Sequence, residues 1–185
     1  MSTATQPLPG DFALTKIGGI TGKLVAAGQA LVGDASPVQH ALVYVGFGHI
    51  VQAMPGGAEL IPLEEASEPV VWSTDRLPEH VTWAQRKAIV EAAHDLVGTP
   101  YSFLDYASIG LAHFRIRPRW VREFVADTGH MICSQLVDEV YLRAGIHLFS
   151  DGRLPGDVTP GDLWYLLHPK RVTSTDRDLR RLARD

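Results

Sequence analysis

His40-Ala-Leu-Val-Tyr-Val-Gly46, Phe47-Gly48, then His49-Ile-Val-Gln-Ala-Met54 is the stretch on which the reading of this chain turns. Both runs are rich in β-branched and aromatic residues, and Phe47-Gly48 separates them with turn chemistry, so they predict an antiparallel hairpin. Pro55-Gly56-Gly57 turns the chain again into a third strand over Ala58–Leu63, and Val70–Ser73 predicts a fourth. Short connections make this a meander. Upstream, Asp11–Leu14 after the Pro9-Gly10 turn signal is a further short strand.

Alternation places His40 on the face of Leu42 and Tyr44. What it meets across the hairpin depends on the turn. A three-residue turn Gly46-Phe47-Gly48 sets Gln52 opposite Leu42, diagonal to His40 on the same face. A two-residue turn shifts the register by one, sends Gln52 to the other face and makes His49 the rival partner.

Beyond the strands the apolar period changes to that of helices. Thr82 is an N-cap for a helix over Trp83–Val97, with Ile89, Ala92, Ala93 and Leu96 inward and Gly98 as terminator. Ile17–Val32 is a glycine-weakened helix, and Leu104–Ala112 and Arg119–Val125 are two more. Pro160 in a first turn starts a last helix, Gly161–Leu167. Between them Leu136, Val137, Val140, Tyr141 and Ala144 recur at helical spacing behind Cys133, and Gly145 stands where a left-handed C-cap is wanted. Strands first and most helices afterwards give an α+β chain.

The bulk numbers suit one globular domain: 185 residues, 45% hydrophobic and 21% charged. We read residues 1–9 as a flexible leader, 10–169 as the domain and 170–185 as a charged tail. A formal charge of −4 lacks the basic footprint of a nucleic-acid binder. No apolar run is long enough for a transmembrane helix, and residues 1–10 show no signal peptide. The expected setting is the cytoplasm, or delivery by a route independent of a signal peptide. Gly22-Lys23 does not make a phosphate loop, because position 17 is isoleucine and position 24 leucine.

Cys133 is the only cysteine, so no internal disulfide forms, and scattered cysteine and histidines without ligand spacing give no metal site. Its place at the predicted tip of a helix favours thiolate over thiol, through the dipole and the free N–H groups there. The simpler reading is a small buried hydrophobe. His40 changes that balance. A cysteine at a helix tip, an imidazole on a strand and the Gln52 amide holding that imidazole form a nucleophile, a base and an orienter. Helix-start N–H groups would stabilise the oxyanion. No cofactor is required.

The run from Pro9-Gly-Asp-Phe12 through His40 to Gln52 resembles the N-terminal half of the circularly permuted NlpC-type papain-like cysteine hydrolases, in which histidine precedes cysteine. Gly98-Thr-Pro-Tyr101 is similar to the family's Gly-x-Pro-Tyr, Cys133-Ser-Gln-Leu-Val137 to its Cys-Ser-x-Leu-Val, and Pro160-Gly-Asp-Leu163 to a motif near its end. The resemblance covers roughly residues 9–167 and implies a permuted papain-like fold, a sheet meander packed on helices with the catalytic cysteine at a helix N-terminus. It implies Cys133 as nucleophile, His40 as base, Gln52 as third polar residue, and Tyr101 and Ser134 as substrate-binding residues. It further implies amide cleavage in a small peptide or peptidoglycan fragment. Permuted relatives, which include lecithin retinol acyltransferase-like proteins, bring acyl lipids and acyl transfer as alternatives, and a silent binding protein retaining the cleft is another.

His130, just before the cysteine, could hydrogen-bond near the site, although a helix-entry residue is the simpler reading; histidines 80, 94, 113, 147 and 168 have no partner pattern and read as structural or solvated. Arg115, Arg117, Arg119 and Arg122 around Trp120 could meet an anionic substrate or a membrane surface, although a solvated face is the simpler reading. Asp105 and Tyr106 could line the cleft.

Overall fold

A computed structural model of the chain describes residues 6–16, 36–54, 57–74, 76–77, 79–98, 130–155 and 158–168. The predicted helices over 17–32, 104–112 and 119–125, the C-terminal tail and most of the leader lie outside these. Among the described residues the architecture is α+β: a five-stranded antiparallel sheet and three α-helices. The strands are β1 (Phe12–Thr15), β2 (His40–Gly46), β3 (His49–Met54), β4 (Gly57–Pro62) and β5 (Pro69–Trp72). A single 3-10 turn, Leu63–Glu65, follows β4. The helices are α1 (Trp83–Leu96), α2 (His130–Arg143) and α3 (Pro160–Leu167).

The strand order is β4-β3-β2-β1-β5, so the meander comprises β2, β3 and β4 only. β5 does not extend it but pairs with β1 at the far edge. All residues of β1 are buried, and backbone groups that water cannot reach need a neighbour on either side. β2 and β5 supply those neighbours.

The β2–β3 hairpin combines the two expected turns. Gly46 pairs with His49, leaving the two-residue turn Phe47-Gly48, but the register then shifts so that Tyr44 meets Ile50 and Leu42 meets Gln52. The extra residue is a bulge at Val45, and it restores the face that the tight turn alone would have reversed. Gly46, Phe47 and Gly48 all have positive φ, at 97°, 51° and 73°. Two glycines make this tolerable; Phe47 adopts the left-handed region with its side chain fully exposed.

Helix α1 starts in a capping box between Thr82 and Gln85, and buries Ile89, Ala92, Ala93 and Leu96 as the periodicity predicts. Arg86 lies on the same inward face, which no hydrophobic pattern would foretell. Its guanidinium donates to Asp11 Oδ1 at 2.7 Å and to the Pro9 carbonyl at 3.1 Å. The other Asp11 oxygen accepts from the Thr74 hydroxyl and the Leu8 N–H. Gly10, at φ 89°, runs so close to α1 that a Cβ there would come within 3.2 Å of the Arg86 Cα. Pro9-Gly-Asp11 thereby ties the start of β1 to α1.

Helix α2 packs on β2 and β3 and contacts α1 and α3. Leu136, Val137, Val140 and Tyr141 are fully buried, and the Tyr141 ring meets Phe12 edge-on at 5.7 Å. Its hydroxyl donates to the Gly10 carbonyl at 2.7 Å. The helix ends in a Schellman motif: Ile146 N–H reaches Tyr141 O, Gly145 N–H reaches Leu142 O, and Gly145 takes φ 75°. Helix α3 has Pro160 at its start and a capping box from Thr159 and Asp162. The Asp of Pro160-Gly-Asp-Leu163 therefore has a structural duty in this chain.

Candidate functional site

β2, β3 and α2 bring His40, Gln52 and Cys133 into one neighbourhood. His40 is the first residue of β2, paired with Thr15 of β1, and only 4% exposed. Its Nε2 is 2.9 Å from Gln52 Oε1, the contact that the bulged register makes possible. At the strand end the ring engages Gln52 on its own face, and Cys133 from α2 is near enough to act on its pKa through charge and hydrogen bonding.

Electrostatics follow that geometry. Burial alone lowers the pKa of His40, because an imidazolium loses its hydration. The charge and hydrogen bond of Cys133, the hydrogen bond of Gln52 and the more distant charge of Glu59 oppose this. The balance raises the pKa above the ordinary 6.5.

Helix α2 begins at His130, not at Cys133. The cysteine closes the first turn instead of standing at the tip, because no breaker in His130-Met131-Ile132 stops the helix from starting earlier. The dipole still acts over a first turn. Cys133 is fully buried within the main core, as a cysteine that merely fills space would be. A packing role alone gives no reason for an imidazole beside it.

His49 points its Nδ1 at the Phe47 carbonyl, 2.9 Å away at the exposed hairpin tip, and takes no part. Ser134 is fully buried and its hydroxyl donates to the Val158 carbonyl at 2.7 Å, joining α2 to the approach to α3. That bond gives the serine a structural task. Tyr101, Asp105, Tyr106 and the arginines around Trp120 lie outside the described residues. His168 stacks on Trp164 with ring centroids 3.9 Å apart.

Two neighbours of His40 were not singled out by the sequence. Glu59 faces Gln52 across the β3–β4 pair, and Gln52 Nε2 donates to Glu59 Oε1 at 2.8 Å. The expected turn Pro55-Gly56-Gly57 would have set Leu60 opposite Gln52; β4 starts at Gly57 instead, and that brings Glu59 there. Thr15, opposite His40, has a fully buried hydroxyl without a hydrogen-bond partner. Nothing in a short Phe-Ala-Leu-Thr strand signals that.

Among the described residues no three His, Cys, Asp or Glu side chains are grouped to hold a metal ion, and no helix is long and apolar enough to cross a membrane. No protein-family model matches the chain, and a search of curated proteins finds no significant match. Chemically, the arrangement joins a thiol, an imidazole able to exchange its proton, and an amide that holds the imidazole in one orientation.

Proposed function

We propose that this protein is a cysteine hydrolase that cleaves an amide bond, as in a peptidoglycan-type peptide, through an acyl-thiol intermediate. The observation that carries the reading is the shared engagement of His40 by Cys133 and Gln52. His40 takes the thiol proton as sulfur attacks the carbonyl carbon, and the first-turn N–H groups of α2 receive the developing oxyanion. Collapse breaks the carbon–nitrogen bond, and the imidazolium returns its proton to the leaving amine. A water, deprotonated by His40, then hydrolyses the thioester and frees the acid. Gln52 keeps the ring aimed throughout.

The resemblance to permuted NlpC-type enzymes supports the peptide substrate and the permuted papain-like fold. The same chemistry on an ester or thioester would serve an acyl lipid. Burial of Cys133 favours a second reading, a binding protein that keeps the cleft without turnover. For the hydrolase, a carbonyl reaches the sulfur only after local opening.

Mass spectrometry after incubation with muropeptides or with acyl lipids separates these readings. A hydrolase yields cleaved product and a transient acyl adduct on Cys133, both absent in Cys133→Ala. Product that survives this substitution removes the cysteine from the mechanism. Absence of product and adduct with both substrate classes, with Cys133 alkylated no faster than a model thiol and no slower in His40→Ala, leaves the binding protein.

A further inference from the structure

We propose that Glu59 is a positioning residue that selects, through Gln52, which nitrogen of His40 acts as the base. The inference rests on the hydrolase reading for its catalytic consequence, but its physical content belongs to the resting protein.

A glutamine amide has a donating and an accepting end, and by itself can offer either one to an imidazole. An ionised carboxylate only accepts. Glu59 Oε1, 2.8 Å from Gln52 Nε2, therefore holds the donating end of the amide on β4. The accepting end, Oε1, is left 2.9 Å from His40 Nε2. That nitrogen must then carry a hydrogen in every protonation state of the ring. In the neutral ring the lone pair is consigned to Nδ1, the nitrogen that the hydrolase reading then needs as the base for the Cys133 thiol proton. In the imidazolium the same orientation avoids setting two donors against each other.

The sheet makes this relay possible. Gln52 and Glu59 are direct partners in the β3–β4 register, and β4 is the edge strand, so Glu59 keeps its carboxylate at the surface while its hydrogen bond points inward. Solvent screens its charge as felt at His40. The directional constraint on the amide is not screened. Among the described residues, the groups whose charge acts on His40 are Cys133 from α2 and Glu59 from β4, with the neutral Gln52 between strand and ring.

Replacing Glu59 by glutamine tests the idea with little risk to folding, since the side chain is exposed and the replacement nearly isosteric. The new amide both donates and accepts, so Gln52 is free to turn over and offer its NH2 group to His40. Nitrogen NMR of labelled imidazole, recorded on the alkaline side of the His40 midpoint, reads the tautomer directly. Wild type should be Nε2-protonated; Glu59→Gln should show a growing Nδ1-protonated fraction and a lower midpoint. Glu59→Asp should keep the wild-type tautomer. On a cleavable substrate, Glu59→Gln should lower kcat by about tenfold or more with KM unchanged, as a misdirected tautomer does. An unchanged tautomer and midpoint in Glu59→Gln overturns the proposal. If no substrate turns over but the tautomer shifts, the hydrolase reading fails while the positioning role of Glu59 stands.

Discussion

Replacing Gln52 by methionine keeps the length and bulk of a side chain that is 7% exposed, while removing both of its hydrogen bonds. The bond to Glu59 costs little to lose, because that carboxylate is exposed and turns to water. The His40 bond differs: its ring is buried, so Nε2–H is left without a partner. A hydrogen bond to a charged group contributes about 1.5–3 kcal/mol, and one between neutral groups about 1 kcal/mol. The deficit of Gln52→Met should therefore be about 2 kcal/mol where His40 is an imidazolium and about 1 kcal/mol where it is neutral. The sign agrees with linkage. The folded pKa of His40 is raised, so its stabilising contribution is complete below 6.5 and lost as pH rises through the raised value. Removing one of the groups that raise it shrinks that contribution, and the loss is largest at low pH. Urea unfolding of both proteins, one pH unit to either side of the His40 midpoint found by NMR, measures the difference. Equal deficits on the two sides, with the His40 midpoint unmoved by the substitution, would refute the argument that Gln52 stabilises the charged ring.

Other consequences lie outside the site. Asp11→Ala strands the Arg86 guanidinium, whose side chain is 10% exposed, and should cost about 3–5 kcal/mol in urea unfolding. Adding Arg86→Met to it should recover part of that loss, and a double variant less stable than Asp11→Ala would contradict the assignment. Thr15→Val removes a buried hydroxyl that has no partner and keeps a β-branched strand former, so it should stabilise by about 1 kcal/mol; thermal unfolding decides. Asp138 on α2 has its pKa pushed up to about 6, first by burial and then by the neighbouring Glu139. Its contribution to stability is complete below 3.8 and lost as pH rises through about 6. Asp138→Asn should accordingly gain at most about 1 kcal/mol at pH 7.5, after screening, and nothing near pH 4. A gain that is the same at both pH values would count against burial as the cause.

Much of the architecture was legible because it is written in local periods. The alternation of Ala41, Val43 and Val45 with His40, Leu42 and Tyr44 marks β2, and Thr82 with Gln85 marks the start of α1. Gly145 ends α2 where its special backbone freedom is used. What escaped was of longer range. The place of β5 beside β1 depends on a strand that needs two neighbours, and the inward position of Arg86 depends on Asp11, 75 residues away. Cys133 and His40 could be paired by chemical type and by resemblance, whereas the packing that brings α2 to β2 could not be read from local pattern. Glu59 was missed because it acts two strands from the imidazole.

From its residues alone this chain specifies where helices and strands form and which face of each is apolar, since those depend on neighbours a few positions apart. Folding settles the rest. A single extra residue at Val45 decides whether Gln52 shares a face with His40, because side chains in a strand alternate and a slip of one reverses them all. The thiol and the imidazole meet only when α2 lays its first turn against the end of β2, a contact paid for by core packing distributed over the whole sheet.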